Sequence, residues 1–188
     1  MLQGKFVTLR ILEKSDIQMV RKWRNSPENY RNFANWDFIT AVQQDNWFAQ
    51  RGSSRKDLRM IIVENTTGKP IGITHLESID YRSRNASWGI YIAETEFRVR
   101  VFAAEATLLL FDYAFEYLNL IKIYGNTLST NPRGRKFHQL AGFQEEAVFK
   151  KHVYVKNTYA DLIWIALFKE SWSKKRKKLL SIIKGHKS

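Results

Sequence analysis

The sequence predicts a mixed α/β protein in which a mostly antiparallel sheet surrounds one long central helix. Three stretches lead to this fold class. Residues 87–92 alternate in polarity as a strand does, residues 102–117 place apolar side chains on one helical face, and residues 121–128 are rich in β-branched residues. A loop with two arginines, Arg98 and Arg100, joins the first strand to the helix. This order of strand, loop and helix is typical of an α/β unit.

The N-terminal part of the chain predicts one strand followed by two helices. Residues 5–12 alternate as a strand. The patterns at residues 15–18 and 40–43 are capping boxes, and each predicts the start of a helix. The Asn and Pro within residues 25–27 end the first helix, and an irregular aromatic segment, residues 29–38, precedes the second.

The remaining stretches predict two hairpins and a short helix. Residues 58–64 and 70–77 are strands joined by a turn-forming segment, and residues 144–155 and 159–167 form the last hairpin. Between the hairpins, beyond the central helix, an Asn-Pro turn at residue 131 begins the short helix. The predicted order is strand, two helices, three strands, helix, strand, helix and two strands.

Length and composition limit the possible functions. A chain of 188 residues, 44% of them hydrophobic, is large enough for one domain with a real core. The absence of cysteine excludes disulfide scaffolds, cysteine-bound zinc and thiol nucleophiles. The four histidines show no metal-ligand spacing, so no metal site is expected. No segment resembles a signal peptide or a membrane span, so we expect a soluble, cytoplasmic protein.

The net charge of +13 is concentrated at the C-terminus. Residues 173–188 carry seven lysines and arginines and no acid, which leaves +6 for residues 1–172. We therefore divide the chain into a domain of residues 1–172 and a basic tail of residues 173–188. The tail is interpreted as a solvated extension, as a contact for nucleic-acid phosphates, or as a short amphipathic helix on an anionic membrane.

The arginine loop before the central helix is a natural seat for a phosphate. The first turn of a helix has unpaired N–H groups, and the aligned peptide dipoles favour an anion there. The spacing across this region resembles the acetyl-CoA site of the GNAT superfamily of N-acetyltransferases. Arg98-Val99-Arg100-Val101-Phe102-Ala103 stands at the pyrophosphate loop, and the stretch from Asn131 through His138 to Gly142-Phe143 at the second cofactor motif.

Two further patterns, Asp112-Tyr113-Ala114-Phe115-Glu116 and Tyr159-x-Asp161, resemble the branch that acetylates ribosomal-protein N-termini, polyamines and amino sugars. The resemblance implies parallel strands that splay around the cofactor, and it implies acetyl-CoA as that cofactor. The cofactor-binding residues that it implies are Gly89, Ile90, Tyr91, Ile92, Arg98, Val99, Arg100, Val101, Phe102, Ala103 and Asn131. Val101 replaces a glycine of the family pattern, and we expect its branched side chain to crowd the pyrophosphate.

Two residues are the catalytic candidates. His138, where the family usually has a tyrosine, is expected to donate to the departing thiolate, either as a neutral imidazole or as an imidazolium. The alternative is a surface histidine without a role, with Tyr124 or a water in its place. Glu77 is the preferred general base, and the alternative for it is a solvated strand-end acid. Glu105 is a weaker candidate for the base because an acid there also complements the helix dipole.

The acceptor pocket is expected to include Arg24 and Asn25 by the same resemblance, and Trp36 because an aromatic residue in a loop can stack on a sugar or base. Three features, residues 23–27, residues 86–89 and His138 with His152-Val153, resemble the amino-sugar enzymes of this branch, which implies an amine on a nucleotide-linked sugar. The basic composition suits such an anion. The alternatives are a protein N-terminus, a polyamine, or a degenerate family member that binds nucleic acid through the tail. The chain is expected to be a monomer or a homodimer.

Overall fold

One eight-stranded sheet with helices on both faces forms the computed structural model of the chain, which describes residues 1–30, 33, 37–52, 54–155 and 157–186. The strands are β1 (Leu2–Gln3), β2 (Val7–Ile11), β3 (Leu58–Glu64), β4 (Pro70–Asp80), β5 (Asn85–Ile92), β6 (Lys122–Leu128), β7 (Gln144–Val155) and β8 (Thr158–Phe168). The helices are α1 (Ile17–Asn25), α2 (Pro27–Tyr30), α3 (Ala41–Gly52), α4 (Arg100–Asp112), α5 (Pro132–Ala141) and α6 (Lys169–Gly185).

The strand order in the sheet is β1-β2-β3-β4-β5-β6-β8-β7. Neighbouring strands in the described residues are antiparallel except β5 and β6, which are parallel because α4 crosses between them. The mixed, mostly antiparallel fold class predicted from the sequence is therefore confirmed.

The parallel pair β5 and β6 separates after three residue pairs. The last of these pairs is Ser87 with Tyr124. Beyond it, β5 continues to pair with β4, and β6 continues to pair with β8. A β-carbon on Gly125 would lie 3.0 Å from the carbonyl oxygen of Trp88, so only glycine fits without displacement where the strands part. We call this V-shaped opening, between residues 88–92 and residues 125–128, the fork.

Two apolar clusters cover the two faces of the sheet. On one face, α4, α5 and α6 pack around Trp88, whose ring stacks on Phe143 at 5.1 Å and meets Phe111 edge-on at 5.0 Å. On the other face, α1 and α3 pack around Trp23 and Ile73. Each face has its own apolar core, so the backbone of the fork lies between two packed layers.

Glu105 ties the start of the chain to the central helix. Its buried carboxylate accepts hydrogen bonds from the backbone N–H groups of Lys5, Phe6 and Val7 at 2.8, 2.6 and 2.8 Å. The carboxylate also lies against Gly4, where a β-carbon would come within 2.5 Å of it. The suggestion that Glu105 acts as a base is therefore wrong, because its oxygens are used to hold strand β2.

The two predicted capping boxes have different outcomes. Thr40 and Gln43 exchange side-chain and backbone hydrogen bonds at 2.9 and 3.2 Å, as predicted. The first helix begins differently, because the carboxylate of Asp16 accepts from the backbone N–H of Glu13 at 2.9 Å and is held by Arg10 at 2.7 Å. The predicted box at residues 15–18 is wrong, since the cap lies two residues earlier.

Helix α6 crosses the predicted boundary between residues 172 and 173. Trp172, Leu179 and Ile183 are buried against the core, and Arg176 forms a bidentate ion pair with Asp112 at 2.9 Å. The apolar residues of the tail are thus occupied in packing. Its lysines at 174, 177, 178 and 184 are exposed, whereas the side chain of Lys175 lies against Gly142. In the described part of the chain, none of the helices is both long and apolar enough to cross a membrane.

Replacing Glu105 by glutamine tests its role as an anchor. The NH2 group of the glutamine would face backbone N–H groups that now donate to a carboxylate oxygen, and two donors cannot pair. We therefore expect the free energy of unfolding to fall by about 3 kcal/mol. Chemical denaturation followed by tryptophan fluorescence measures this change. Glu116→Gln, at an exposed site beyond the end of α4, is the control and should change stability little. Equal stability of the two variants would contradict the anchoring role.

Candidate active site

The N-terminus of α4 is open to an anion. The helix begins at Arg100 with Val99 as its N-cap, no side chain caps it, and no acid lies in its first turn. Both Val99 and Arg100 are exposed. The first N–H groups of a helix have no partner within the helix, so this end combines unpaired donors with the positive end of the dipole.

The side chain of Val101 is buried at this position. Its side chain is only 1% exposed and belongs to the core cluster around α4. As the second residue of the helix it has a negative φ, because Val101 is not among the residues with left-handed backbone. The side chain therefore packs into the core, and the expected crowding of a pyrophosphate stays a prediction.

Arg98 has a different task from the expected phosphate contact. Its guanidinium donates to the side-chain oxygen of Asn29 at 2.6 Å and to the carbonyl oxygens of Ile92 and Glu28 at 3.2 and 3.1 Å. The carbonyl oxygen of Arg98 in turn accepts from Arg133 at 2.7 Å. Arg98 therefore holds the loop in place, and Arg133, which the sequence analysis missed, links α5 to that loop.

The other expected cofactor residues lie around the fork. Residues 89–92 form the part of β5 that pairs with β4 on one edge only, so the opposite edge faces the fork. Phe102 packs on Phe97 at 5.6 Å in the first turns of α4, and Ala103 follows it. The side chain of Asn131 caps α5 by accepting from the backbone N–H of Gly134 at 2.9 Å.

His138 lies on α5 beside the fork. Its ring meets Trp88 at 5.7 Å and Phe143 at 5.9 Å, and its Nδ1 is buried without a hydrogen-bond partner. Burial lowers the pKa of His138 to about 4. The imidazole is therefore neutral at neutral pH, which removes the imidazolium form that the sequence analysis left open.

Glu77 lies on the opposite face of the sheet, in a cluster with Arg59 and His75. Its carboxylate accepts from Arg59 at 2.7 Å and lies 3.9 Å from His75 Nε2. Partial burial opposes ionisation of Glu77, but the hydrogen bond from Arg59 and its positive charge outweigh it and hold the pKa of Glu77 below its usual value. The carboxylate is thus ionised at neutral pH, and it is one-third exposed.

The glycine at position 89 makes room for this cluster. A β-carbon there would lie 2.5 Å from the His75 ring, so the imidazole rests directly on the strand backbone. Burial and the nearby Arg59 lower the pKa of His75 to about 4, and the ring is neutral. Arg59 was missed in the sequence because only the cross-strand register, which pairs it with His75, reveals the contact.

The expected acceptor residues separate into different roles. Arg24 is half-buried, and its guanidinium lies 3.8 Å from the centre of the Phe33 ring. The side-chain amide of Asn25 is fully used, because it donates to the carbonyl of Ile39 and accepts from its N–H, both at 2.9 Å. Asn25 therefore holds the backbone at Ile39 against the end of α1. Trp36 lies outside the described residues.

Two aromatic residues lie near the fork: Tyr124, which the sequence analysis named as a substitute for His138, and Trp164, which it missed. Tyr124, at the last parallel pair, lies 6.1 Å from the ring of Trp164 on β8. The indole Nε1 of Trp164 is buried without a partner. The sequence offers no signal for Trp164, since an aromatic residue in a strand is ordinarily a packing residue. Among the described residues, no cluster of His, Asp and Glu suits a metal ion.

The sequence as a whole matches a family model. Residues 7–144 match the acetyltransferase (GNAT) domain, and this range includes the fork, the open N-terminus of α4 and the His138 region. The chain belongs to the GNAT acetyltransferase family. As a GNAT N-acetyltransferase it uses acetyl-CoA, and the uncapped helix end and the one-sided strand fit the phosphates and the amide-rich arm of that cofactor.

Several relatives resemble this acetyltransferase over most of their length. The spermidine N(1)-acetyltransferase of Vibrio cholerae is 27% identical over 169 residues, covering 83% of this chain and 89% of the relative. A putative ribosomal N-acetyltransferase of Bacillus subtilis is 25% identical over 185 residues, covering 90% and 94%. The structure of the Vibrio cholerae spermidine N-acetyltransferase with CoA and spermine has a TM-score of 0.83 at 22% identity, covering 90% and 99%.

Because the pKa of His138 is lowered in the folded protein, the stability of the fold should depend on pH. An exposed imidazole titrates near 6.5, so between pH 6.5 and 4 protons bind the unfolded chain in preference to the folded one. The contribution of the neutral, buried His138 to the free energy of unfolding is therefore fully present above pH 6.5 and is lost as the pH falls towards 4. We expect His138→Phe to remove up to about 3 kcal/mol of this loss, measured by denaturation at pH 7 and 4.5.

His152→Gln, at an exposed position of β7, is the control and should retain the full loss. The burial of a neutral His138 would be contradicted if His138→Phe lost as much stability on acidification as the wild type.

Proposed function

We propose that this acetyltransferase moves the acetyl group of acetyl-CoA to a primary amine by direct attack, and that the amine belongs to a nucleotide-linked amino sugar. The observation that carries the proposal is the fork, which opens just beyond Ser87 on β5. His138 contacts Trp88 on one face of the sheet, and Glu77, opposite Ser87, lies on the other face. One face of the sheet then supplies a donor for the leaving group, and the other face supplies a carboxylate for the amine.

Backbone N–H groups and one exposed cation, Arg100, bind the cofactor. Acetyl-CoA, when bound, supplies the acetyl group as a thioester. The first-turn N–H groups of α4 and the Arg100 side chain hold the pyrophosphate, since unpaired donors at the positive end of a helix dipole favour an anion. The free edge of residues 89–92 supplies N–H groups to the pantetheine arm and to the carbonyl oxygen as charge develops on it.

His138 acts as a hydrogen-bond donor to the departing sulfur. A buried neutral imidazole has one N–H to offer and no excess proton, so it stabilises the thiolate without protonating it. This help is sufficient because a thiol titrates near 8.5, and its conjugate base is already a fair leaving group.

Glu77 acts as the base for the amine. Its ionised carboxylate is held by Arg59 and is partly exposed, so a positively charged ammonium can approach it. A carboxylate with a low pKa is a weak base towards a free ammonium. An ammonium has no lone pair, so it must first lose one proton to solvent. The neutral amine then attacks the carbonyl carbon, its remaining N–H protons become far more acidic, and Glu77 accepts one of them directly or through one water.

The charges on the acceptor face support an amine without further positive charge. Glu77 contacts Arg59, Glu94 contacts Lys69 at 2.8 Å, and Asp57 contacts Arg51 at 3.3 Å. A polyamine would have to displace these partners to reach a carboxylate. An amino sugar linked to a nucleotide is anionic, and it also suits the positive charge of the chain.

Two other acceptors and one other function compete with this proposal. The named relatives favour spermidine or a ribosomal-protein N-terminus as the acceptor. A protein that binds nucleic acid through the outward lysines of α6 and catalyses nothing had its best support in Val101. The burial of the Val101 side chain in the core weakens that support.

Acetylation of a panel of amines tests the proposal. The protein is mixed with acetyl-CoA and a UDP-linked 4-amino sugar, a peptide with a free N-terminus, or spermidine. Released CoA is measured with a thiol reagent, which the cysteine-free protein does not consume. We expect the amino sugar nucleotide to be the best substrate, and Glu77→Gln to lower its kcat at least about 100-fold, most strongly at low pH.

Glu170→Gln, at an exposed position of α6, is the control and should keep full activity. A higher kcat/KM for spermidine or the peptide would overturn the proposed acceptor. Equal kcat for Glu77→Gln and the control would remove Glu77 from the mechanism.

A further inference from the structure

Among the described residues Arg24 is a cation without an acidic partner, whereas the carboxylates named above on this face are paired. It lies at the end of α1 on the acceptor face, half-buried, with its guanidinium over Phe33. In the described parts of the chain no carboxylate lies within ion-pair distance of it. Burial lowers the pKa of Arg24, but a guanidinium remains charged at neutral pH.

Tyr91 supplies a second unsatisfied group beside it. The Tyr91 hydroxyl is buried and has no hydrogen-bond partner, and its ring meets Phe33 edge-on at 5.2 Å. A buried hydroxyl without a partner is costly, and native proteins rarely leave one without a reason. The guanidinium and the hydroxyl share Phe33 as a common neighbour. Two polar groups without a hydrogen-bond or ion-pair partner among the described residues therefore lie together.

This pair lies close to the reacting centre. Tyr91 is two residues along β5 from Gly89, and alternate residues of a strand lie on the same face. A strand advances about 3.3 Å per residue, which puts Tyr91 roughly 7 Å beyond the Gly89 position along the fork. That distance is within the span of a small acceptor whose amine is at the fork.

We propose that Arg24 and Tyr91 form a binding site for an oxyanion of the acceptor, a phosphate or a carboxylate. The inference rests on the proposed function, because it names the chemical class of the acceptor of the same site. Arginine presents donors in a planar fork that matches two oxygens of a phosphate or carboxylate, and the phenol donates a further hydrogen bond. Phe33 holds the guanidinium plane and leaves its edge for the ligand.

Binding of inorganic phosphate tests the site without turnover. The protein is first saturated with CoA, which occupies the anion site at α4, and thermal unfolding is then followed as phosphate is added. We expect phosphate to raise the Tm of the wild type. Arg24→Met and Tyr91→Phe should lose most of this rise, and Lys22→Met, at an exposed position of the same helix, should keep it. Sodium acetate in place of phosphate distinguishes a carboxylate site from a phosphate site.

A matched pair of substrates adds a kinetic readout. Glucosamine 6-phosphate and glucosamine carry the same amine and differ in the phosphate. We expect the wild type to favour the phosphorylated sugar in kcat/KM by about tenfold or more, and Arg24→Met to bring this ratio close to one. Tyr91→Phe removes only the hydroxyl, so it tests the site should Arg24→Met fail to fold.

The outcomes separate this inference from the proposed function. If CoA itself fails to raise the Tm, the proposed function is wrong. If CoA stabilises the protein but phosphate and acetate raise the Tm of the wild type, both variants and the control equally, or not at all, the oxyanion site is overturned. In that case Arg24 serves only to pack on Phe33.

Discussion

The parting of two parallel strands is the constraint on which the rest of the structure depends. Strands β5 and β6 pair for three residues and then separate, with Trp88 and Gly125 at the point of divergence. Backbone N–H and C=O groups that lose their strand partner must find another one, and here a ligand can supply it. Because α4 follows β5 after a short loop, the same departure from a regular sheet also brings a helix end to the fork.

The two faces of the sheet divide the chemistry of the site. On the α4 face the imidazole of His138 is neutral because aromatic rings bury it, which suits a donor to an anionic sulfur. On the α1 face Glu77 is ionised because Arg59 holds it, which suits a group that receives a proton. The different surroundings on the two faces of the sheet therefore keep His138 neutral and Glu77 ionised. The fork is where substrates on the two faces can meet.

Much of the fold could be predicted from the sequence because its signals are local. Strand alternation, the Thr40–Gln43 capping box and the long apolar face of the central helix each lie within a few residues. The α6 helix was interpreted as a tail because its lysines dominate the composition, while the contacts of Trp172 and Leu179 with the core are long-range. Strand β1 has two residues, too few for a periodic signal.

The candidate site was predictable in outline, and its details depend on register. The helix end and the β5 strand follow from sequence spacing and family resemblance, but the inward direction of Val101 and the clamp made by Arg98 require the folded loop.

The fork itself is tested most directly by thermal unfolding with and without acetyl-CoA for the wild type, Gly125→Val and Gly185→Ala. Gly185→Ala is the control, because a β-carbon at 185 meets nothing within 4 Å. At a hundredfold excess over the dissociation constant, acetyl-CoA should stabilise the wild type and Gly185→Ala by about 2.7 kcal/mol, and Gly125→Val should lose this effect. No stabilisation of the wild type, or equal stabilisation of all three proteins, would contradict a cofactor site in the fork.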